Sequence, residues 1–149
     1  MRPQESFNCP PIIDRRIFYC TLEIVYNLAM EPNCVFCKII AGEIPCHKVY
    51  EDKNFLAFLS IDPRSPGHTL VIPKKHFRWV WDVPNAGEYF EVARKIALAQ
   101  KKAFNTDLIL SKIYGEEVPH AHIWIYPDEK LKGDKKDFSG HAEKIRTAL

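Results

Sequence analysis

The sequence lacks the features that mark secreted, membrane-spanning and nucleic-acid-binding proteins. No apolar run approaches the roughly 20 residues that cross a bilayer. The net charge of the 149 residues is only +2, which is too small to indicate binding to nucleic acid or to a membrane surface. The five cysteines are an odd number, and this argues against a disulfide framework. We therefore expect a cytoplasmic protein without nucleic-acid or membrane partners, in which some cysteines are available to a metal.

The rest of the composition is that of an ordinary globular protein. Hydrophobic residues make up 46% of the chain and charged residues 27%. A chain of 149 residues is long enough to bury one core. We find no internal repeat, and a single domain is expected.

The first 29 residues differ from the remainder. They do not form a good secretory signal, because charged residues at 14–16 interrupt the segment early and Glu23 lies inside the apolar stretch that follows. Met30 then opens an organised segment. We expect Met30 to be the native start and residues 1–29 to be a wrongly extended reading frame. A poorly ordered arm and a weak membrane-surface anchor are the alternatives.

Hydrophobic periodicity and turn residues divide the remainder into short elements. The predicted elements are a short helix within 34–42, strands at 47–51, 55–61 and 68–72, a helix from Asn85 to about 104, strands at 107–114 and 118–126, and a last helix at 139–149. Runs of strands with one long helix between them favour an α+β fold with an antiparallel sheet. Asn85 is predicted to cap the long helix, with Glu88 completing a capping box.

The segment at 118–127 is the most informative of these elements. On a strand, alternate side chains point to opposite faces. One face then carries Ala121, Ile123 and Ile125, and the other carries His120, His122, Trp124 and Tyr126. The first set is an ordinary core face. Two imidazoles beside two large rings are unusual on a solvated surface, so the second set predicts a lined pocket.

The motif Cys34-x-x-Cys37 is a weak signal by itself. A redox dithiol would need a thioredoxin-like βαβ context, which is missing. As half of a zinc site, the motif needs two further ligands. Spacing alone does not choose among the six candidates, which are His47, His68, His76, His120, His122 and His141.

Four motifs in this order resemble the histidine-triad (HIT) family. They are CVFCKIIAGEIP at 34–45, VYED at 49–52, PGHTLVIPKKH at 66–76 and VPHAH at 118–122. The resemblance implies an α+β, HIT-like fold with about five antiparallel strands, one long helix and one short N-terminal helix. It places this domain at 30–149, with a core at 34–127 and a charged C-terminal tail. Family members are nucleotide hydrolases and nucleotidyl transferases, usually homodimers.

The resemblance also implies roles for particular residues. In zinc-bearing bacterial members, the ligands of a structural Zn²⁺ stand at the positions of Cys34, Cys37, His76 and His120. The family nucleophile corresponds to His122, and His68 matches a histidine beside it. His122 would attack the α-phosphorus of a nucleoside phosphoramidate, dinucleoside polyphosphate or related conjugate, and form a nucleotidyl-histidine. Water or another phosphate would then accept the nucleotidyl group.

Three departures from the family pattern concern the pocket. The third triad position is Trp124, whose indole cannot deliver a proton to a leaving group. Glu116 and Glu117 replace a Gln-Ser pair; two carboxylates would repel a phosphate unless they point away or favour a cationic leaving group such as an amine. Ser60 replaces the aspartate that holds the ribose, and Asp62 is the candidate substitute.

These departures leave a second function open: a catalytically weak or inactive, zinc-stabilised protein that binds a nucleotide or a partner. Trp79 and Trp81 are predicted to face either a dimer partner or the core.

Overall fold

The computed structural model describes residues 31–113 and 115–149. The predictions for residues 1–29 concern a segment outside this part of the chain. The strands are β1 (Lys48–Glu51), β2 (Phe55–Leu59), β3 (Thr69–Pro73), β4 (Ile109–Ile113) and β5 (Ile123–Pro127). The helices are α1 (Val35–Ile40), α2 (Ala86–Phe104) and α3 (Phe138–Ala148), with a 3₁₀ turn at Val80–Asp82. Within the described ranges, no helix has the length and hydropathy that crossing a bilayer requires.

The five strands form one sheet in the order β1-β2-β3-β5-β4. Every neighbouring pair is antiparallel. At the turn of the first hairpin, Asp52 Oδ1 accepts the backbone N–H groups of Asn54 at 2.8 Å and Phe55 at 2.7 Å. This side chain satisfies the turn backbone locally, as the Asp-x-Asn sequence predicts. The α+β fold with an antiparallel sheet is confirmed.

Both faces of the sheet are covered, so its central strands separate two apolar layers. One layer is built on α2 and α3, and includes Tyr89, Ile96 and Ile145 together with Ala121, Ile123 and Ile125. The other is built on α1, and includes Phe36, Ile39, Leu70, Trp124 and Tyr126. The helix α3 contributes buried Ala142 and Ile145 to the core. The packed domain therefore extends beyond the predicted core at 34–127.

The strand β5 begins at Ile123, five residues later than predicted. Residues 118–122 lie outside the strand, although Ala121 N–H still donates to the carbonyl of Phe77 at 2.7 Å. The predicted alternation of side chains nevertheless holds through this segment, because Ala121 lies in the α2 layer while His122 is buried on the α1 side beside Phe36.

The long helix begins after Asn85, as predicted, but the capping box does not form. No side-chain bond from Asn85 caps the helix. Its amide instead donates to Glu88 Oε2 at 3.0 Å, so the two side chains bond to each other rather than to the backbone. The helix ends at Phe104, and the following Asn105 adopts the left-handed conformation with φ 48°.

A buried amide ties the loop before β3 to the sheet. Gln100 is fully buried in α2, and its Nε2 donates to the carbonyls of Gly67 at 2.9 Å and Ile125 at 3.0 Å. In the same loop, Ser65 Oγ donates to the carbonyl of Pro127 at 2.7 Å. Gly67 has φ +79°, and an added Cβ would lie 2.3 Å from the ring of Phe104. The bonds from Gln100, the bond from Ser65 to Pro127 and the close approach of Phe104 to Gly67 together hold this loop in place.

We expect Gly67→Ala to destabilise the protein by about 2–4 kcal/mol, because the substitution combines a strained positive φ with overpacking against Phe104. Gly42→Ala is the matched control, since Gly42 has φ +80° but nothing within 4 Å of the added Cβ. Its cost should be only about 1 kcal/mol. Denaturant unfolding measures both values, and equal losses would show that the Phe104 contact does not matter.

Candidate metal centre and nucleophile site

Four metal-ligating side chains converge where α1 meets the segment that leads into β5. Cys34 and Cys37 come from the start of α1, His76 follows β3, and His120 precedes β5. The Nδ1 atom of His120 lies 3.4 Å from the Sγ of Cys34 and 3.6 Å from that of Cys37, and His76 Nδ1 lies 3.4 Å from Cys37 Sγ. All four ligand atoms lie within 4.8 Å of one another.

This geometry fits a tetrahedral zinc ion. Bonds of about 2.0–2.3 Å place the ligand atoms of such an ion about 3.3–3.8 Å apart. His120 Nε2 lies 2.9 Å from the carbonyl of Pro73, and donation of its N–H there leaves the Nδ1 lone pair to the metal. The four residues are thus a closed Cys₂His₂ set, the donor chemistry of a structural zinc site. Among the six candidate histidines, the fold selects His76 and His120.

Burial makes this cluster depend on a cation. It raises the pKa of the Cys37 thiol to about 11 and lowers the pKa of His120 to about 4. A neutral imidazole is ready to bind a metal, whereas a buried thiolate requires a nearby positive charge. Zinc supplies that charge, so metal and fold stabilise each other.

A cavity of about 550 Å³ opens on the α1 side of the sheet. Its lining is mostly apolar, with a few polar groups, as expected of a small-molecule site. The residues that line it are Val35, Phe36, Ile39, Ile44, Pro45, Cys46, His47, Phe58, Leu59, Ser60, Ile61, Asp62, Leu70, Glu117, Val118, His122, Trp124 and Phe138. Of the four residues predicted to line one pocket, His122 and Trp124 line this cavity, whereas His120 and Tyr126 do not. The helix α1 contributes to the cavity wall as well as to the metal cluster.

His122 is held against the wall of this cavity. Only 2% of its surface is exposed, and its ring lies 5.4 Å from that of Phe36, edge to face. Its Nδ1 lies 2.7 Å from the backbone carbonyl of His120. Donation of that N–H leaves the Nε2 lone pair unprotonated. Desolvation lowers the pKa of His122, the carbonyl of His120 and Glu117 oppose this effect, and Arg78 adds to it. The ring is neutral at pH 7.

Trp124 lies next to His122, with ring centroids 6.5 Å apart and an interplanar angle of 26°. His68 is 5.0 Å from Trp124 and from Tyr126. Burial, reinforced by the charge of Arg64, lowers the pKa of His68 to about 4. His68 therefore lies beside Trp124 as a neutral ring, and its Nδ1 accepts the backbone N–H of Arg64 at 3.2 Å.

The fold brings three of the four predicted nucleotide-binding residues to the cavity and leaves the fourth outside it. Ser60, Asp62 and Glu117 line the cavity, whereas Glu116 is exposed and is not part of the lining. The hydroxyl of Ser60 lies 3.2 Å from the carbonyl and 3.3 Å from the N–H of Asp62, so it is engaged within its own loop. A turn of this kind follows from the Ser-x-Asp sequence, but the sequence does not show that it competes with a ligand.

The sequence did not predict the cations near His122 and Trp124 or the apolar wall of the cavity. Arg78 acts on His122 from the segment after β3, and Arg64 and Lys112 lie over the ring of Trp124. A single charged residue in a loop or on an edge strand has no sequence pattern that predicts which ring or cavity it will face. In the sequence, the apolar wall of the cavity was indicated only by the pair Val35 and Phe36 between the two cysteines.

Fold and site together define a small α+β domain in which a Cys₂His₂ cluster supports a histidine-bearing cavity. The HIT domain family model matches residues 41–131, more than half of the chain. The chain belongs to the HIT family, as the sequence motifs indicated.

Curated relatives include nucleotide hydrolases by name. Protein hit of Bacillus subtilis is 46% identical over 64% of this chain and 70% of its own length. Adenosine 5'-monophosphoramidase HNT1 of Saccharomyces cerevisiae is 39% identical, over 76% of this chain and 75% of that protein. Adenylylsulfatase HINT3 of Arabidopsis thaliana is 34% identical, over 69% and 56% respectively.

Solved structures agree with the fold and with the metal set. A Hit-like protein from Bartonella henselae has a TM-score of 0.72 at 40% identity, covering 81% of this chain and all of that one. A zinc-bound histidine triad family protein from Mycobacterium smegmatis has a TM-score of 0.70 at 33% identity, covering 78% of this chain and 92% of that chain. The second structure supports zinc as the metal of the Cys34, Cys37, His76 and His120 cluster.

We expect Cys37→Ser to reduce bound zinc from about one ion per chain to near zero and to lower the melting temperature by about 10 °C or more. Cys46→Ser is the matched control, because Cys46 lies in the cavity wall but outside the metal cluster. Zinc content by elemental analysis and thermal unfolding test both. Full zinc occupancy in Cys37→Ser would contradict the ligand set.

Proposed function

We propose that the protein is a nucleotide hydrolase or nucleotidyl transferase in which His122 attacks the α-phosphorus of a nucleotide conjugate. One observation carries this proposal. His122 lines a 550 Å³ apolar cavity while its Nδ1–H is committed to the carbonyl of His120. A buried, neutral imidazole with a fixed tautomer is an activated nucleophile, since its lone pair needs no prior deprotonation.

The reaction follows from that tautomer. The Nε2 atom of His122 forms a bond to the α-phosphorus as the bond from phosphorus to the leaving group breaks. Water then attacks the nucleotidyl-histidine, the phosphorus–nitrogen bond breaks, and a nucleoside monophosphate is released with the imidazole restored. A second phosphate compound in place of water would give nucleotidyl transfer. Zinc lies behind this site and would support it structurally, because the four ligands leave no open coordination position.

The named relatives support this class of reaction. By their names, a monophosphoramidase and an adenylylsulfatase both act on an adenosine nucleotide, with an amine nitrogen as the leaving atom in the first and a sulfate oxygen in the second. The apolar walls from Phe58, Ile39 and Leu70 suit a nucleobase. Asp62, which shares the cavity with Ser60, is the residue we propose for the ribose hydroxyls.

We expect His122→Asn to abolish release of AMP and to prevent formation of a nucleotidylated protein, while zinc content and melting temperature stay near those of the parent. Release of AMP is measured in single-turnover reactions with a panel of adenosine phosphoramidate, diadenosine triphosphate and adenylyl sulfate. The nucleotidylated protein is measured by the intact mass of the acid-quenched protein. Loss of zinc in this variant would contradict the separate roles of His120 and His122.

The second function, a zinc-stabilised nucleotide-binding protein without turnover, rests on the loss of an ionisable group at Trp124 and on the engaged hydroxyl of Ser60. It predicts that calorimetry detects AMP binding while the parent protein releases no AMP from any compound of the panel. The same result would refute the enzymatic proposal.

We further propose that the protein is a cytoplasmic homodimer. The thiols of a zinc cluster persist in a reducing compartment. Trp81 is 73% exposed and Trp79 is 43% exposed, so neither side chain belongs to the core. Of the two predicted environments, this leaves the surface that contacts a dimer partner. Sedimentation equilibrium would contradict a dimer if the mass remained that of one chain at all concentrations.

A further inference from the structure

The backbone around His122 lies where two strands of the sheet separate. The ladder between β3 and β5 ends at the pair Val71 and Ile123, whereas the ladder between β2 and β3 continues for two more residues, to Pro73. Residues 118–122 therefore lie outside the strand. Because His122 and its neighbours are buried, their backbone groups need other hydrogen-bond partners.

Tyr89 supplies hydrogen bonds at this point from the opposite face of the sheet. Its hydroxyl lies 2.7 Å from the carbonyl oxygen of Val71 and 3.3 Å from that of Ala121, so one proton is shared between two acceptors. Burial raises the pKa of Tyr89 well above its usual value, and a hydrogen bond from the backbone of Ile123 opposes this effect. A bond that lowers the pKa of a phenol is donated to its oxygen, so the donor is the N–H of Ile123.

These bonds reach both peptide groups that flank His122. The carbonyl of Ala121 belongs to the peptide group before the α-carbon of His122, and the N–H of Ile123 belongs to the one after it. A hydroxyl that donates on one side and accepts on the other restricts both backbone dihedral angles of His122. The direction in which the imidazole leaves the backbone is therefore set from behind the sheet.

The hydrogen bond of the His122 ring depends on this restraint. Its Nδ1 lies 2.7 Å from the carbonyl of His120, two residues earlier. The peptide group that contains this carbonyl is held separately, because the N–H of Ala121 donates to the carbonyl of Phe77 at 2.7 Å. Phe77 thus holds the acceptor. Tyr89 holds the backbone that carries the donor, and loss of that hold would misalign the Nδ1–H with its acceptor.

Tyr89 is itself firmly placed. It lies near the start of α2, is fully buried, and stacks on Phe55 with ring centroids 5.0 Å apart and 3° between the ring planes. It belongs to the α2 layer and does not line the cavity. Any effect of Tyr89 on the cavity is therefore transmitted through the backbone of His122.

We propose that Tyr89 is a positioning residue for His122, and that its hydroxyl holds the flanking peptide groups so that the imidazole keeps its Nδ1–H on the carbonyl of His120 and leaves Nε2 unprotonated. The effect on turnover rests on the proposed function, whereas the effect on the ring of His122 does not. The hydroxyl stays protonated and takes no part in the chemical step.

The test removes only the hydroxyl, because Tyr89→Phe keeps the ring and its stack on Phe55. We expect kcat for AMP release from the best substrate of the panel to fall about 10- to 100-fold, as for a small displacement of a reacting group. KM should stay within about twofold, and zinc content should equal that of the parent. In nitrogen-15 NMR of the histidine rings, the parent should show His122 as one tautomer with Nδ1 protonated, and Tyr89→Phe should show both tautomers.

Ser65→Ala is the matched control. The hydroxyl of Ser65 is also fully buried and also donates to a backbone carbonyl at 2.7 Å, that of Pro127 at the far end of β5. Its loss should lower the melting temperature about as much as the loss of the Tyr89 hydroxyl, but leave kcat and the His122 spectrum near those of the parent. Equal losses of kcat in the two variants would show a general effect of stability and overturn the proposal.

The remaining results separate this inference from the proposed function. A parental kcat or a parental His122 spectrum in Tyr89→Phe would overturn the inference and leave His122 as the nucleophile. Loss of zinc or of the fold in Tyr89→Phe, with Ser65→Ala folded, would make Tyr89 a structural residue and also overturn it. If the parent releases no AMP from any compound of the panel, the proposed function fails and the NMR spectrum decides. Two tautomers in Tyr89→Phe then support the positioning role, and an unchanged spectrum overturns it.

Discussion

The burial of both faces of β5 is the constraint on which the rest of the structure depends. Alternate residues of this strand, and of the segment that leads into it, pack in two different environments. Ala121, Ile123 and Ile125 pack under α2, and His122, Trp124 and Tyr126 lie on the α1 side. A slip of one residue would exchange these two sets. The face that carries His122 and Trp124 is thereby held in register by the apolar face behind it.

A second consequence concerns the coupling of the metal cluster to the nucleophile. His120 uses its ring for the cluster and its carbonyl for the Nδ1–H of His122. Phe36, between the two cysteines, contacts both imidazole rings. Any movement of His120 therefore changes both the ligand set and the tautomer of His122. Zinc bound to the cluster would support His122 by fixing the backbone that accepts its hydrogen bond.

Trp124, at the position where the family resemblance implies a third histidine, lies in the cavity wall next to His122. Its indole N–H only donates a hydrogen bond and does not exchange a proton as an imidazole does. In exchange, the ring carries two cations on a framework ordered by His68 and Gln100. The charged residues in the cavity lining are Asp62 and Glu117, while Glu116 is outside the cavity.

The sequence by itself determined the α+β class, the antiparallel sheet, the long helix and the two-sided character of the segment at 118–127, because these features repeat locally with the period of a strand or helix. Its motifs also indicated the family and all four metal ligands. The tertiary structure decided which residues share the cavity and which charges face it. Arg64, Lys112 and Trp124 are far apart in the chain, and long-range contacts leave no local pattern. Likewise, Ser60 is engaged by its own loop and the capping box of α2 is replaced by a side-chain pair, because short polar side chains choose among several nearby partners only once the backbone around them is in place.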